Sequence, residues 1–123
     1  MDRRAELKTA YKNRPKNMGV YQIRNLANGK IYIGSALNLD SRFNLFEMVS
    51  KYGGGWAGNT QLTKEMKEFG MENFVIEILD QLKENDDPLY DYSEDLKTLE
   101  ELWLEKLQPY GERGYNKPKP EKR

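Results

Sequence analysis

Alternating apolar and polar residues near the start of the chain predict a β-hairpin. Residues 18–25 follow a period-two pattern, which is typical of a strand that buries one face. Asn28-Gly29 is a strong signal for a tight turn, and residues 30–34 continue as a second candidate strand. The predicted hairpin therefore carries the sequence GVYQIRNLANGKIYIG over residues 19–34.

The turn leaves two registers open. One has a two-residue turn, and the other has a four-residue loop that pairs Asn25 with Lys30. Because the two differ by an even shift, both put Lys30, Tyr21 and Tyr32 on one face. The longer loop places Tyr32 opposite Ile23, with Tyr21 as its diagonal neighbour at about 7–8 Å. That distance leaves room for a small anion or a water between the two hydroxyls.

Two helices are predicted directly after the hairpin. Apolar residues recur at helical spacing over residues 40–51, and the glycines that begin at Gly53 end this helix. The second helix covers residues 60–69, with Asn59 as its N-terminal cap and Gly70 as its stop.

A third strand and a third helix complete the predicted fold. The apolar stretch at residues 74–79 is the strand, and the acidic residues 83–92 form a loop. Ser93 is expected to cap a long helix that ends near residue 107. The fold class is therefore α+β: a small, mainly antiparallel three-stranded sheet, made of the hairpin and a third strand, flanked by three main helices.

The sequence divides into one domain and two basic ends. Residues 1–17 form a basic extension, with a short helix expected over residues 4–12 before Pro15. Residues 18–117 form the domain, and residues 118–123 are expected to be a flexible basic tail.

Composition excludes several classes of chemistry. The 123 residues include no cysteine, so a disulfide framework and a thiolate metal site are excluded. They include no histidine, so acid–base work falls to Tyr, Lys, Asp or Glu. No apolar run approaches the roughly 18 residues of a membrane span, and the N-terminus has no secretory signal. We therefore expect an intracellular, cytoplasmic protein.

Charge is strongly segregated although the net charge is zero. Residues 1–51 hold ten Lys/Arg and four Asp/Glu, whereas residues 77–106 hold three Lys and eleven Asp/Glu. Residues 107–123 are again basic, with five Lys/Arg and two Glu. Basic ends around an acidic middle fit a protein with one side that faces a polyanion, although such segregation is also common in other proteins.

The hairpin tyrosines are the first candidates for chemistry. Tyrosine has an ordinary pKa near 10, so a tyrosine base needs a nearby cation, which Lys30 could supply. The alternative is that Tyr21 and Tyr32 are ordinary amphipathic strand residues.

Glu100 is the second candidate because of its place on the last predicted helix. It projects within the apolar stripe between Leu96 and Trp103. A carboxylate directed into the domain needs a cation. Arg42, another structural ion pair and a metal ion are all open as the partner, and a single carboxylate with several waters suits Mg²⁺.

Three further residues have chemistry that suits a phosphate. Arg42 is a surface arginine or a planar donor that holds a phosphate and stabilises transition-state charge. Asn116 can donate to a phosphate or fix another side chain. Lys117 is a candidate contact to a nucleic-acid backbone.

Together these residues resemble the GIY-YIG nuclease family over about residues 18–117. The first triplet has valine where the family has isoleucine, and the second is intact. The matching elements, in the family's order, are Gly19-Val20-Tyr21, Tyr32-Ile33-Gly34, Arg42, Asn59 with Leu62, Glu100 with Trp103, and Asn116.

The resemblance implies a divalent-metal-dependent endonuclease that hydrolyses DNA to 5′-phosphate and 3′-hydroxyl ends. Tyr21 would be the general base on the attacking water, directly or through a neighbour, and Tyr32 would position the water or the scissile phosphate. Arg42 would neutralise developing charge. Glu100 would carry one Mg²⁺ or Mn²⁺ ion, and Asn116 would hold the hydrogen bonds on the phosphate side. The residues predicted to contact substrate are Lys30, Gly34, Asn59 and Lys117.

Two features depart from the family pattern. Many members carry a histidine four residues after the arginine, where this chain has Phe46. The acidic loop at residues 83–92 would repel DNA, so we expect it on the far side or the edge of the domain.

The expected partner is double-stranded DNA, cut by a monomer or a transient dimer. The sequence leaves single-stranded or branched DNA and RNA open, with the hairpin tyrosines and Trp56 as a weak stacking platform. The alternative function is a non-catalytic nucleic-acid-binding or interaction module on the same fold.

Overall fold

Three antiparallel strands form the sheet of the computed structural model, which describes residues 17–118. Strand β1 is Met18–Asn25, β2 is Ile31–Ala36 and β3 is Phe74–Leu82, in the order β2-β1-β3. The α+β fold class is therefore confirmed. The helix expected over residues 4–12 and the tail from residue 119 onwards lie outside the described residues.

Three α-helices follow the predicted pattern closely. Helix α1 is Leu39–Tyr52, α2 is Thr60–Phe69 and α3 is Ser93–Leu107. Asn59 caps α2 by accepting a hydrogen bond from the Leu62 N–H, as predicted, and the chain leaves α2 at Gly70.

Two predicted boundaries differ from the structure. Ser93 does not cap α3 but is its first residue, and its backbone N–H donates to Asp91 Oδ1 at 2.9 Å. Strand β3 runs three residues beyond its predicted end at residue 79, because Met18 to Val20 of β1 continue to pair with it. The acidic loop then follows β3, which forms the edge of the sheet opposite to β2.

The hairpin adopts the four-residue loop of the two open registers. The Asn25 N–H donates to the Lys30 carbonyl at 2.9 Å, and the Gly29 N–H donates to the Asn25 carbonyl at 2.7 Å. Tyr32 consequently lies opposite Ile23.

A C-terminal segment adds to the outer edge of β2. Gly114 forms a parallel bridge with Ile31, whose carbonyl accepts a hydrogen bond from the Tyr115 N–H at 2.9 Å. Sequence reasoning missed this contact because it joins residues more than 80 positions apart.

A hydrophobic core lies between one face of the sheet and helices α1 and α2. Buried residues of the sheet, α1, α2, the loop between these two helices and the C-terminal segment contribute to it: Tyr21, Ile23, Ala36, Leu39, Val49, Trp56, Leu62, Met66, Phe74 and Tyr115. No helix within residues 17–118 has the length and apolar character that a membrane crossing requires.

One carboxylate, Glu65 of α2, is buried beside this core and makes stability depend on pH. Burial by itself raises the pKa of Glu65, but hydrogen bonds from neighbours and the charge of Lys30 outweigh it, so the pKa of Glu65 is lowered from 4.5. A carboxyl whose folded-state pKa is depressed stabilises the fold above its unfolded-state pKa, and this contribution disappears as the pH falls.

We therefore expect the melting temperature to fall as the pH drops below about 4.5, the unfolded-state value. In Glu65→Gln the melting temperature at neutral pH should be lower and its fall with acid shallower, because the titrating group is gone. Thermal unfolding followed by circular dichroism from pH 3 to 7 measures both. A parallel fall in the two proteins would contradict this assignment.

Candidate active site

Tyr21 and Tyr32 meet on the side of the hairpin that faces the core. Their ring centroids are 6.3 Å apart and the rings are tilted by 55°. Tyr21 is only 3% exposed, whereas Tyr32 is half-buried. The pair therefore presents one buried phenol and one that a substrate can reach.

Gly34 makes room for the first of these phenols. It lies directly across the strands from Tyr21, and a Cβ at position 34 would be 2.6 Å from the Tyr21 hydroxyl oxygen. Its predicted contact with substrate stays a prediction, but this packing alone accounts for glycine at position 34.

Gly34→Ala is expected to lower stability by about 1–3 kcal/mol, because Tyr21 must leave its buried position. Urea unfolding measures the loss, and Ser35→Ala on the same strand is the matched control. Equal midpoints for the two variants would show that the hydroxyl is not held against Gly34.

Aromatic residues surround Tyr21 on its other side. The Trp56 ring lies 6.2 Å from the Tyr21 ring and 6.4 Å from the Phe46 ring, centroid to centroid. Phe46, which stands where many family members have histidine, thus packs in the wall of the site. Trp56 is buried, so the suggestion that it offers a stacking platform to bases is wrong.

Both phenols are held in their protonated form. Burial raises the pKa of Tyr21 and Tyr32 above the ordinary value of 10.0. The negative charge of Glu100 raises the pKa of Tyr32 further, whereas the positive charge of Arg42 lowers the pKa of both. A hydrogen bond between the phenols raises the pKa of Tyr21 and lowers that of Tyr32, as expected when Tyr21 donates.

The cation beside the tyrosines is Arg42 and not Lys30. The Lys30 ammonium instead lies 3.4 Å from Glu65 Oε2 and 5.9 Å from the centre of the Tyr115 ring. The expectation that Lys30 eases deprotonation of a tyrosine is therefore wrong. The alternation of side chains along the hairpin predicted the face on which Lys30 lies. It gave no sign that a buried carboxylate on α2 binds the Lys30 ammonium.

Arg42 carries a donor that no described group satisfies. It lies in the first turns of α1, and its Nε is buried without a hydrogen-bond partner in the described part of the chain. An unmade bond at a buried charged donor costs about 1–3 kcal/mol or more. A phosphate oxygen would satisfy this N–H.

Glu100 reaches the same place from α3. It is half-buried, and its charge acts on Tyr32. One turn further along, the Trp103 indole N–H donates to Asp80 Oδ2 at 3.1 Å, which fixes α3 against β3. The helix therefore holds Glu100 near the tyrosines through a bond to the sheet.

The donor set fits a hydrated divalent ion. Residues 17–118 contain no group of three or more acidic side chains that could enclose a metal. A single half-buried carboxylate suits Mg²⁺, which keeps several waters and takes one or two protein carboxylates.

Asn116 binds β2, the strand that carries Tyr32. Its Oδ1 accepts from the Ile33 N–H and its Nδ2 donates to the Ile33 carbonyl, both at 2.8 Å. This pair of bonds extends the sheet with a side chain, immediately next to Tyr32. The predicted bond from Asn116 to a phosphate-side network stays a prediction.

Two predicted substrate contacts lie at other places. Asn59 caps α2 with its oxygen and donates its Nδ2 to the Tyr115 carbonyl at 2.7 Å. Lys117 is exposed just beyond Asn116. The structure thus brings together Tyr21, Tyr32, Arg42 and Glu100, and Asn116 binds the strand that carries Tyr32. Lys30 and Asn59 belong to a separate hydrogen-bonding network.

The sequence of this domain matches a known protein family. The model of the GIY-YIG catalytic domain matches residues 17–116, and the chain belongs to that family. It carries a GIY-YIG nuclease domain. Nucleases of this family generally depend on a divalent metal ion.

Two solved structures share the fold. The catalytic domain of homing endonuclease I-TevI is 22% identical with a TM-score of 0.63, over 83% of this chain and 99% of that one. A mutant form of the catalytic domain of intron endonuclease I-TevI is 24% identical with a TM-score of 0.59, over 81% of this chain and 92% of that one. No curated protein matches the sequence.

Proposed function

We propose that the protein is a divalent-metal-dependent endonuclease that hydrolyses phosphodiester bonds in DNA. The observation that carries the proposal is the convergence on Tyr32: a second phenol, the guanidinium of Arg42 and the carboxylate of Glu100 all act on this half-exposed hydroxyl. Phenols, a cation and a carboxylate in one place can orient a water, bind a phosphate and neutralise the charge that develops on it.

Arg42 is the phosphate-binding residue in this proposal. Its unsatisfied Nε supplies a directed N–H donor on a planar, positively charged group. Such a preorganised donor stabilises the additional negative charge of the transition state without reorganising.

The two tyrosines share the positioning of the attacking water. Tyr21 is too deeply buried, and its pKa too high, to give up a proton to solvent. It therefore assists the reaction through its hydrogen bond with Tyr32, and the Tyr32 hydroxyl contacts the water or the scissile phosphate. Phe46, at the position of the family's histidine, contributes no proton.

Glu100 would hold the metal ion. A Mg²⁺ or Mn²⁺ ion bound there would supply Lewis acidity and stabilise the leaving 3′ oxygen. The carboxylate of Glu100 lies beside Tyr32. The hydrogen bond between Trp103 and Asp80 holds α3 in the position that keeps it there.

Double-stranded DNA is the proposed substrate. Both similar solved structures are catalytic domains of I-TevI, which is described as an intron endonuclease and as a homing endonuclease. A monomer holds one such site, so it would cut one strand at a time, or both strands as a transient dimer.

End-labelled duplex DNA tests the proposed reaction. With Mg²⁺ present, the products should carry 5′-phosphate and 3′-hydroxyl ends, so that a ligase rejoins the nick directly. Products that ligase seals only after treatment with a kinase or a phosphatase would contradict attack on phosphorus with departure of the 3′ oxygen.

A further inference from the structure

A buried carboxylate outside the proposed catalytic group gathers five side-chain donors. Glu65 of α2 is only 4% exposed. Its Oε1 accepts from Tyr115 Oη and Asn28 Nδ2, both at 2.8 Å, and from Asn25 Nδ2 at 3.4 Å. Its Oε2 accepts from Gln61 Nε2 at 2.6 Å and Lys30 Nζ at 3.4 Å. Each partner donates, so only the ionised carboxylate can satisfy the whole set.

These donors come from separate parts of the chain that meet at β2. Asn25, Asn28 and Lys30 belong to the hairpin loop and its ends, and Tyr115 belongs to the C-terminal segment. Asn25 Nδ2 also donates to Tyr115 Oη at 3.1 Å, which closes the network. Burial raises the pKa of Tyr115 to about 12, so its phenol remains a donor. Glu65 thereby joins the hairpin loop to the C-terminal segment.

The C-terminal segment in turn holds both neighbours of Tyr32. The Tyr115 N–H donates to the Ile31 carbonyl at 2.9 Å. Asn116, the next residue, makes its two hydrogen bonds to the backbone of Ile33. Tyr32 thus lies between two residues whose backbones are tied to this segment.

We propose that Glu65 is a positioning residue for the nuclease reaction: its carboxylate fixes the C-terminal segment and the hairpin loop together, and so sets the place of Tyr32. The inference rests on the proposed function for its catalytic part. Glu65 touches neither Tyr21, Tyr32 nor Arg42 in any described contact, and its effect passes through Tyr115 and Asn116.

Glu65→Gln tests the inference with little change of shape. One oxygen becomes an NH₂ group that faces donors, so at least one bond of the network is lost or reversed. Glu68→Gln, on the exposed face of the same helix, is the matched control. All comparisons are made at a temperature at which circular dichroism shows each protein fully folded.

Two readouts separate positioning from stability. In Glu65→Gln we expect amide hydrogen exchange at Ile33 and Tyr115 to be about tenfold faster, with exchange in the β1–β3 pairing unchanged. We expect kcat for DNA cleavage to fall about tenfold with KM for DNA unchanged, because the substitution displaces Tyr32 without removing a contact to DNA. Tyr115→Phe should act in the same direction, and the double variant should be no worse than Glu65→Gln alone.

Unchanged exchange at Ile33 and Tyr115, or an unchanged kcat in the folded Glu65→Gln protein, would overturn the inference. Losses that add fully in the double variant would also overturn it, since Glu65 would then not act through Tyr115. If the parent protein does not cut DNA, the proposed function fails separately, and the exchange measurement alone decides whether Glu65 holds β2.

Discussion

Arg42→Lys is expected to lower kcat for DNA cleavage by about a hundredfold to a thousandfold, with little effect on folding. The variant keeps the positive charge but removes the buried Nε donor, which has no partner in the described structure. An ammonium ion is a compact charge that does not reproduce the planar donors of a guanidinium. The lost interaction is one that strengthens in the transition state, so kcat should carry most of the effect.

Single-turnover cleavage of a labelled duplex measures this loss. Arg24→Lys is the matched control, because Arg24 is a partly exposed arginine on β1 whose Nε lies 2.9 Å from Glu77 Oε1, away from Tyr21 and Tyr32. If Arg42→Lys kept more than about a tenth of the parent kcat, Arg42 would act only as a point charge.

Glu100→Gln is expected to reduce cleavage by about a thousandfold or more, and added Mg²⁺ should not restore it. The amide keeps the size of the side chain and removes the charge. No cluster of three or more acidic ligands in residues 17–118 could take over the ion. Glu105→Gln, on the exposed surface of the same helix, is the control.

A second, metal-free readout accompanies this variant. Burial raises the pKa of Tyr32 and the charge of Glu100 raises it further, so Glu100→Gln should lower the pKa of Tyr32. Titration of the tyrosine resonances by NMR measures the change. An unmoved Tyr32 titration would mean that the carboxylate does not lie beside this phenol.

Local sequence signals predicted most of the fold. Asn28-Gly29 predicted the hairpin, and Asn59 and Gly70 predicted the two ends of α2. These signals are reliable because turn and cap residues act on their immediate neighbours. Ser93 shows the limit of such signals, since Asp91 offered a competing side chain two residues earlier.

Contacts between distant residues were much harder to predict. The Glu65 network joins residues 25, 28, 30 and 115, and nothing in the sequence near any of them indicates the others. Lys30 was consequently assigned to the tyrosines. Glu100 was easier to find, because a carboxylate within an apolar helical stripe is unusual by itself.

Cleavage of supercoiled plasmid by the purified protein is the direct test of whether the protein is a metal-dependent nuclease. With Mg²⁺ we expect conversion to open circles, complete suppression by EDTA, and recovery when excess Mg²⁺ is returned. Plasmid that stays intact in every lane, while the folded protein still retards DNA on a gel, would contradict the claim and indicate a binding module on a nuclease fold. Equal cleavage with and without EDTA would contradict a metal-dependent reaction at Glu100.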